Sequence, residues 1–298
     1  TRPGPWMARD LKVSIGQYSD RGRKTINQDF HGAMIPLQPA LGLKGIAVGL
    51  ADGISSSAVS QIASESAVSG FLLDYYCTSD AWSVKTSAQR VIAATNSWLH
   101  AQTRRGRHRY DPDNGHICTL DIGVFKARVA HIFHIGDAHV DRLAGRQLEQ
   151  LTDDHRVVVS SQETYLSRAL GVNPQIEIDY RAVPLEPGDV FILATDGVHE
   201  HIPHDTLPGL VTDDLDTAAR TIATAAYDRG SADNLTVQLV RIDELPDAGV
   251  DDVLGQATAL PPPPLLQPRM VFDGYDIVRQ VHASSRSHIY LASDQGSG

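Results

Sequence analysis

The run Gly45-Ile-Ala-Val-Gly-Leu-Ala-Asp52-Gly53 decides how the rest of the chain is read. An apolar strand of the buried kind ends abruptly on an acid, and the acid is followed by glycine. Taken singly, Asp-Gly is most often a tight turn in which the aspartate bonds its own backbone and the glycine takes positive φ. The pattern returns, however, at Asp189-Val-Phe-Ile-Leu-Ala-Thr195-Asp196-Gly197, and a third acid, Asp233, stands just before the β-like run Leu235 to Ile242. Three carboxylates on rigid strand ends, with oxygen-only neighbours and no His/Cys ligand spacing, suit a hard divalent cation such as Mg²⁺ or Mn²⁺.

Outward from these strands, further β-like runs fall at Leu11 to Tyr18, Asp121 to Phe125, Val129 to Ile135 and Val140 to Leu143. A helical period from Ser57 to Tyr76 puts Val59, Ile62, Ala63, Ala67, Phe71 and Tyr75 near one face, with Ser55, Ser56 and Ser57 as candidate N-caps. Two more helices are expected from Thr86 to Thr103 and from Leu215 to Tyr227. Two long helices in succession followed by a hairpin series argue against strict βαβ alternation and for an α+β layered architecture.

Composition bounds the rest. The chain has 298 residues, 42% of them hydrophobic, a net charge of -10 and a pI near 5.6, so a nucleic-acid partner held by a basic surface is not expected. The basic run Arg104 to Arg109 is expected to be a solvated loop. Cys77 and Cys118 build neither a disulfide framework nor a zinc spacing, which suits a reducing, cytoplasmic compartment. No apolar run approaches the roughly 20 residues that cross a bilayer. Residues 1–9 read as an N-terminal extension of vector type, 10–245 as one domain, 246–268 as a linker stiffened by Pro261 to Pro264, and 269–298 as a short tail.

From Val13 to Ile242 the order of motifs resembles the metal-dependent serine/threonine protein phosphatases of type 2C. The family's Arg ahead of an Asn-Glu-Asp run corresponds to Lys24 with Asn27-Gln28-Asp29, and its Ala-Asp-Gly to Ala51-Asp52-Gly53. Val-Gly-Asp-Ser-Arg corresponds to Ile135-Gly136-Asp137-Ala138-His139, and Asp-His-Ser to Asp154-His155-Arg156. Leu170-Gly171, Thr195-Asp196-Gly197 and Asp233-Asn234 complete the set. The resemblance implies a four-layer α-β-β-α sandwich, two antiparallel sheets flanked by helix pairs, with two Mn²⁺ or Mg²⁺ ions at one end. By the same resemblance Asp52 bridges both ions, the Gly53 carbonyl binds one, and Asp196 and Asp233 are the other carboxylate ligands. Asp29 acts near the second ion through water, Asp137 binds a weaker third ion beside Asp196, and Lys24 holds the substrate phosphate. The implied activity is hydrolysis of phosphoserine and phosphothreonine on proteins by a metal-bridging hydroxide.

Several positions depart from the family pattern. Lys24 replaces a bidentate arginine with a point charge. Gln28 in place of Glu is expected to remove one negative charge from the metal shell, and Ile54-Ser55-Ser56-Ser57 lacks the family's histidine. These departures leave a second reading, a pseudophosphatase that binds phosphoproteins or regulates a linked kinase. His116, His134, His139 and His155 lie near motif positions, where structural roles are expected. The tail from Phe272 to Ala292 resembles the first two strands of a protein kinase domain, with His282, Ser284 and His288 at positions where that family has glycine. A fused or linked serine/threonine kinase is the partner this implies, within signal transduction.

Overall fold

In the computed structural model the described residues are 10–106, 111, 114–160, 163–247, 266–272, 275–283 and 288–294. The N-terminal extension, Arg107 to Arg109 and the Pro261 to Pro264 spacer fall outside them. The chain divides into two units, 1–248 and 249–298.

Two five-stranded antiparallel sheets form the larger unit. One runs in the order β1 (Lys12–Asp20), β12 (Leu235–Glu244), β11 (Val190–Ala194), β6 (His139–Ala144), β7 (Gln147–Gln150). The other runs β10 (Asp179–Pro184), β5 (Val129–Ile135), β4 (Leu120–Lys126), β3 (Ile46–Ala51), β2 (Phe30–Met34). The period of two along each strand sorts side chains between layers. In β11, Phe191 and Leu193 enter the core between the sheets, whereas Val190, Ile192 and Ala194 pack outward under α6 (Leu215–Asp228). In β3, Ile46, Val48 and Leu50 fill the inter-sheet core, and Ala47 and Ala51 face α2 (Ser60–Asp74) and α3 (Val84–Arg105). Gly49 lies on that small-residue face, where an added Cβ would meet Ile122 Cδ1 at 2.8 Å and Val68 Cγ1 at 3.3 Å. Three apolar cores thus separate four layers, as expected. The second outer layer is a single long helix supported by the short α4 (Asp196–His199) and α5 (Leu207–Leu210), not a matched pair.

Other expectations need correcting. Helix α2 has Val59 at its N-cap, with no side-chain cap; the Ser57 hydroxyl instead donates to the carbonyls of Asn114 and Gly115. Ile62 is half-exposed, and Ser64, Val68 and Leu72 join the buried face, because the helix lies against β3 one position round from the expected stripe. Strands β2, β7 and β10, and the hairpin of β8 (Arg156–Ser160) with β9 (Glu163–Leu166), add to the strands expected from the sequence. A short helix, α1 (Ala40–Lys44), is a further addition. No described helix is long and apolar enough to cross a membrane. The smaller unit carries a three-stranded antiparallel sheet, β13 (Val271–Phe272), β14 (Tyr275–Ala283) and β15 (His288–Asp294).

Candidate metal centre

Antiparallel pairing puts the end of one strand beside the start of its neighbour, so one rim of the sandwich collects residues from distant parts of the sequence. Ala51 at the end of β3 pairs with Phe30 at the start of β2, and Leu120 at the start of β4 pairs with Ile135 at the end of β5. Ala194 at the end of β11 pairs with Val237 in β12 and with His139 in β6. The residue just beyond each of these ends is an acid or close to one: Asp29, Asp52, Asp137, Asp196 and Asp233. Four of them, Asp52, Asp137, Asp196 and Asp233, line a cleft of about 130 Å³ with Gly53 and Thr119.

Each acid is fixed through its backbone or its neighbours. The Asp52 amide donates to Thr119 Oγ1 at 2.9 Å, and its carbonyl accepts from the Thr119 amide at 2.8 Å. Gly53 cannot be replaced without moving backbone, since a Cβ would lie 2.8 Å from the Gln28 carbonyl oxygen. Asp29 is buried behind the cleft, its Oδ2 accepting from Thr236 Oγ1 at 2.6 Å and Thr195 Oγ1 at 3.1 Å. Asn234 pins the loop that carries Lys24 and Asp29: its Nδ2 donates to the Arg21 and Ile26 carbonyls, and its Oδ1 accepts from the Gln28 amide. The Asp137 turn is clamped by His155, whose amide donates to the Gly136 carbonyl while its Nδ1 accepts from the Gly136 amide. His199 Nε2 donates to the Asp137 carbonyl at 2.9 Å.

The electrostatics ask for positive charge. Burial pushes Asp29 up to about 7 against the lowering effect of its hydrogen bonds. Asp52 is raised well above the ordinary carboxylate value by burial and by the charges of Asp29, Asp196 and Asp137. Asp196 rises to about 6, from burial first and then Asp137, Asp233 and Glu200. Asp29 Oδ1 is buried without a donor, and Asp29 lies close enough to Asp52 to raise it, which calls for a shared proton or a cation at the pair. This all-oxygen set with an orphaned buried oxygen fits hard divalent ions. Among the described residues no three His, Cys, Asp or Glu side chains are drawn into a ligand arrangement. Two cations of the chain contact the acids instead. Lys24 Nζ lies 3.1 Å from Asp233 Oδ2 and donates to Ser55 Oγ at 2.8 Å. Arg156 bonds Asp137, Asp196 and Glu200 together.

The structure therefore gathers every expected site residue at one rim but changes the part played by one departure. The Gln28 side chain turns away from the acids, donating to the Ser57 carbonyl at 2.7 Å and to Ser60 Oγ, so its neutrality removes no charge from the cleft. His134, His139 and His155 pair with Asp121, Asp154 and Asp179, structural roles as expected. Sequence reasoning missed Glu200, although its place four residues after Asp196 on a helix is the signal that puts two acids on one face. It also missed Thr236, an inward position of β12.

A profile described as Protein phosphatase 2C matches residues 17–239. Protein phosphatase PhpP of Streptococcus pneumoniae is 27% identical over 214 residues, spanning 65% of this chain and 85% of that protein. Among solved structures, the serine/threonine phosphatase of S. agalactiae is similar with TM-score 0.68 at 22% identity, covering 78% of this chain and 100% of that one. The catalytic domain of serine threonine protein phosphatase PstP in complex with two manganese ions is similar with TM-score 0.65 at 22% identity, over 78% and 100%.

Proposed function

The chain belongs to the protein phosphatase 2C family, and from that premise we propose that its acid rim holds two divalent ions and that Lys24 receives the phosphate of a phosphoserine or phosphothreonine on a protein. The observation that carries the reading is the arrival of Asp29, Asp52, Asp137, Asp196 and Asp233 at one end of the sandwich, with burial and mutual repulsion raising Asp29, Asp52 and Asp196. Asp52, the Gly53 carbonyl, Asp196 and Asp233 would hold the ions. When bound, Mn²⁺ or Mg²⁺ supplies Lewis-acid activation of water and neutralises charge on the phosphoryl oxygens.

The chain's own residues do the rest. Thr195 and Thr236 hold the Asp29 carboxyl in place behind the cleft. Lys24, about one-third exposed on its loop, is free to exchange the Asp233 carboxylate for a phosphate oxygen at the cleft mouth. Ser55 keeps the ammonium at that mouth. No thiol competes as nucleophile: burial pushes the Cys118 thiol far above its ordinary value, and Cys77 is exposed and bonded to a helix carbonyl. Attack by water, the route that the family resemblance implies, needs no such nucleophile. The pseudophosphatase reading draws nothing from relatives that are themselves named as phosphatases.

Mn²⁺-dependent release of phosphate from phosphoserine and phosphothreonine peptides tests the proposal. Activity that is lost to chelator and restored by Mn²⁺ is expected; metal-independent turnover, or none with Mn²⁺ saturating, would overturn it. For residues 269–298 we propose the opening strands of a kinase-like lobe, a reading supported by the β14–β15 hairpin over the expected stretch.

A further inference from the structure

Asp137 and Asp196 are the two carboxylates that the family resemblance assigns to a weak third ion, and here they are already bridged from within the chain. Arg156 Nε donates to Asp137 Oδ2 at 2.5 Å, Nη2 donates to Asp196 Oδ2 at 3.0 Å, and Nη1 donates to the Glu200 carboxylate. A planar guanidinium presents its donors in a fixed fork, so three carboxylates around one plane form a fitted cradle, not a chance surface pair. Its position is set by the backbone. Arg156 opens β8 immediately after His155, and His155 is tied to Gly136, the residue before Asp137, by bonds in both directions. Glu200 and Asp196 reach the same guanidinium because they are one helical turn apart, Asp196 opening α4 and Glu200 capping its C-terminus. In the family pattern quoted above a neutral serine occupies the place of Arg156.

We propose that Arg156 takes the place of a third metal ion, permanently supplying the positive charge between Asp137 and Asp196, so that this enzyme binds two divalent ions and no third. The inference rests on the metal-centre reading above. A divalent ion between Asp137 Oδ2 and Asp196 Oδ2 would lie against a guanidinium that cannot deprotonate and that already donates to both oxygens, while each carboxylate keeps its second oxygen. The charge count agrees. Six carboxylates (Asp29, Asp52, Asp137, Asp196, Asp233 and Glu200) against Lys24 and Arg156 leave four negative charges, which two divalent ions offset in full. Arg156 is on this view a positioning residue that also ties the base of the β8–β9 hairpin to the cleft; Leu166, its cross-strand partner at that base, lines the cleft.

The test is Mn²⁺ stoichiometry by equilibrium dialysis at millimolar metal, on the full chain, for wild type, Arg156→Ser, Arg156→Gln and Arg156→Lys. Wild type and Arg156→Lys are expected to saturate at two ions per chain, and the two neutral variants to gain a third, weaker ion. That ion should vanish when Asp137→Asn is added. The glutamine variant serves if the serine variant fails to fold, and the wild-type count is informative without either. A wild type that binds three ions, or neutral variants that stay at two, would overturn the role of Arg156 while leaving the metal centre standing. A wild type that binds no Mn²⁺ would overturn the metal centre and this inference together.

Discussion

Lys24 and Arg156 pair with different acids of the same rim, each marking one edge of it, and hold it in different ways. Lys24 makes one ion pair and one hydroxyl contact from a loop, with about a third of its side chain in solvent. Arg156 makes three ion pairs from the first residue of a strand. Equal charges therefore have unequal freedom. An ammonium is a point charge on a flexible stem and can leave one carboxylate for a phosphate; a guanidinium held by three carboxylates cannot leave without stranding all of them. On the proposed reading the edge at Lys24 serves exchange and the edge at Arg156 permanence.

Removing what both edges neutralise should give the largest effect. Asp52→Ala and Asp196→Ala are each expected to lower kcat by at least about 10³-fold, with thermal unfolding of the metal-free protein little changed, since a repulsive charge is lost with the ligand. Both variants losing their cooperative unfolding transition while Mn²⁺ still binds would show these aspartates to be structural turns. At the exchangeable edge, Lys24→Ala should reduce kcat/KM on a phosphopeptide by roughly 10- to 100-fold, on the order of 1.4 to 2.8 kcal/mol, with Mn²⁺ affinity unchanged or slightly tighter. Steady-state kinetics beside calorimetric Mn²⁺ titration reads both; kinetics equal to wild type would leave Lys24 a surface residue. Lys24→Arg is expected to keep or improve turnover.

At the permanent edge the readout is stability. Arg156→Ala should destabilise the metal-free protein by about 1–3 kcal/mol, because it leaves three carboxylates without their cation, whereas Lys24→Ala should cost less than about 1 kcal/mol. Urea unfolding in chelator compares them, and equal midpoints would erase the distinction between the edges.

Asp141 sharpens the contrast, being a buried acid with no lysine or arginine paired to it among the described residues. Its Oδ1 has no hydrogen-bond partner, His204 Nε2 is 3.8 Å away, and burial pushes the carboxyl up to about 7. A folded-state value above the unfolded value near 3.9 means that the folded chain holds the proton more tightly. Stability from this group is full below about pH 4 and is lost as pH rises towards 7. Asp141→Asn should therefore leave stability unchanged at pH 4 and raise it by about 1–3 kcal/mol at pH 8. An equal effect at both pH values would mean that the carboxyl titrates normally. The smallest effect is expected from ending the chain at Asp247, which should leave phosphopeptide turnover unaltered; loss of turnover would make the tail part of the phosphatase unit.

The sequence alone determined the strands that deliver Asp52 and Asp196, the acid before β12, the long helices and the order of motifs. These are legible because burial on both faces forces continuous apolar runs, and each run must stop at the rim where its acid begins. Strands β2 and β10 escaped notice because only one face of each is well covered, and β7 because it is a short edge strand, so none carries such a run. Tertiary structure alone decided that Gln28 faces helix α2 and not the acids, that Ser57 bonds a distant loop instead of capping its helix, and that Arg156 crosses to Asp137, Asp196 and Glu200. The reason is geometric: spacing along the chain says which residue types reach the rim, but strand register and the turn at Gly136 fix where each side chain points once it is there.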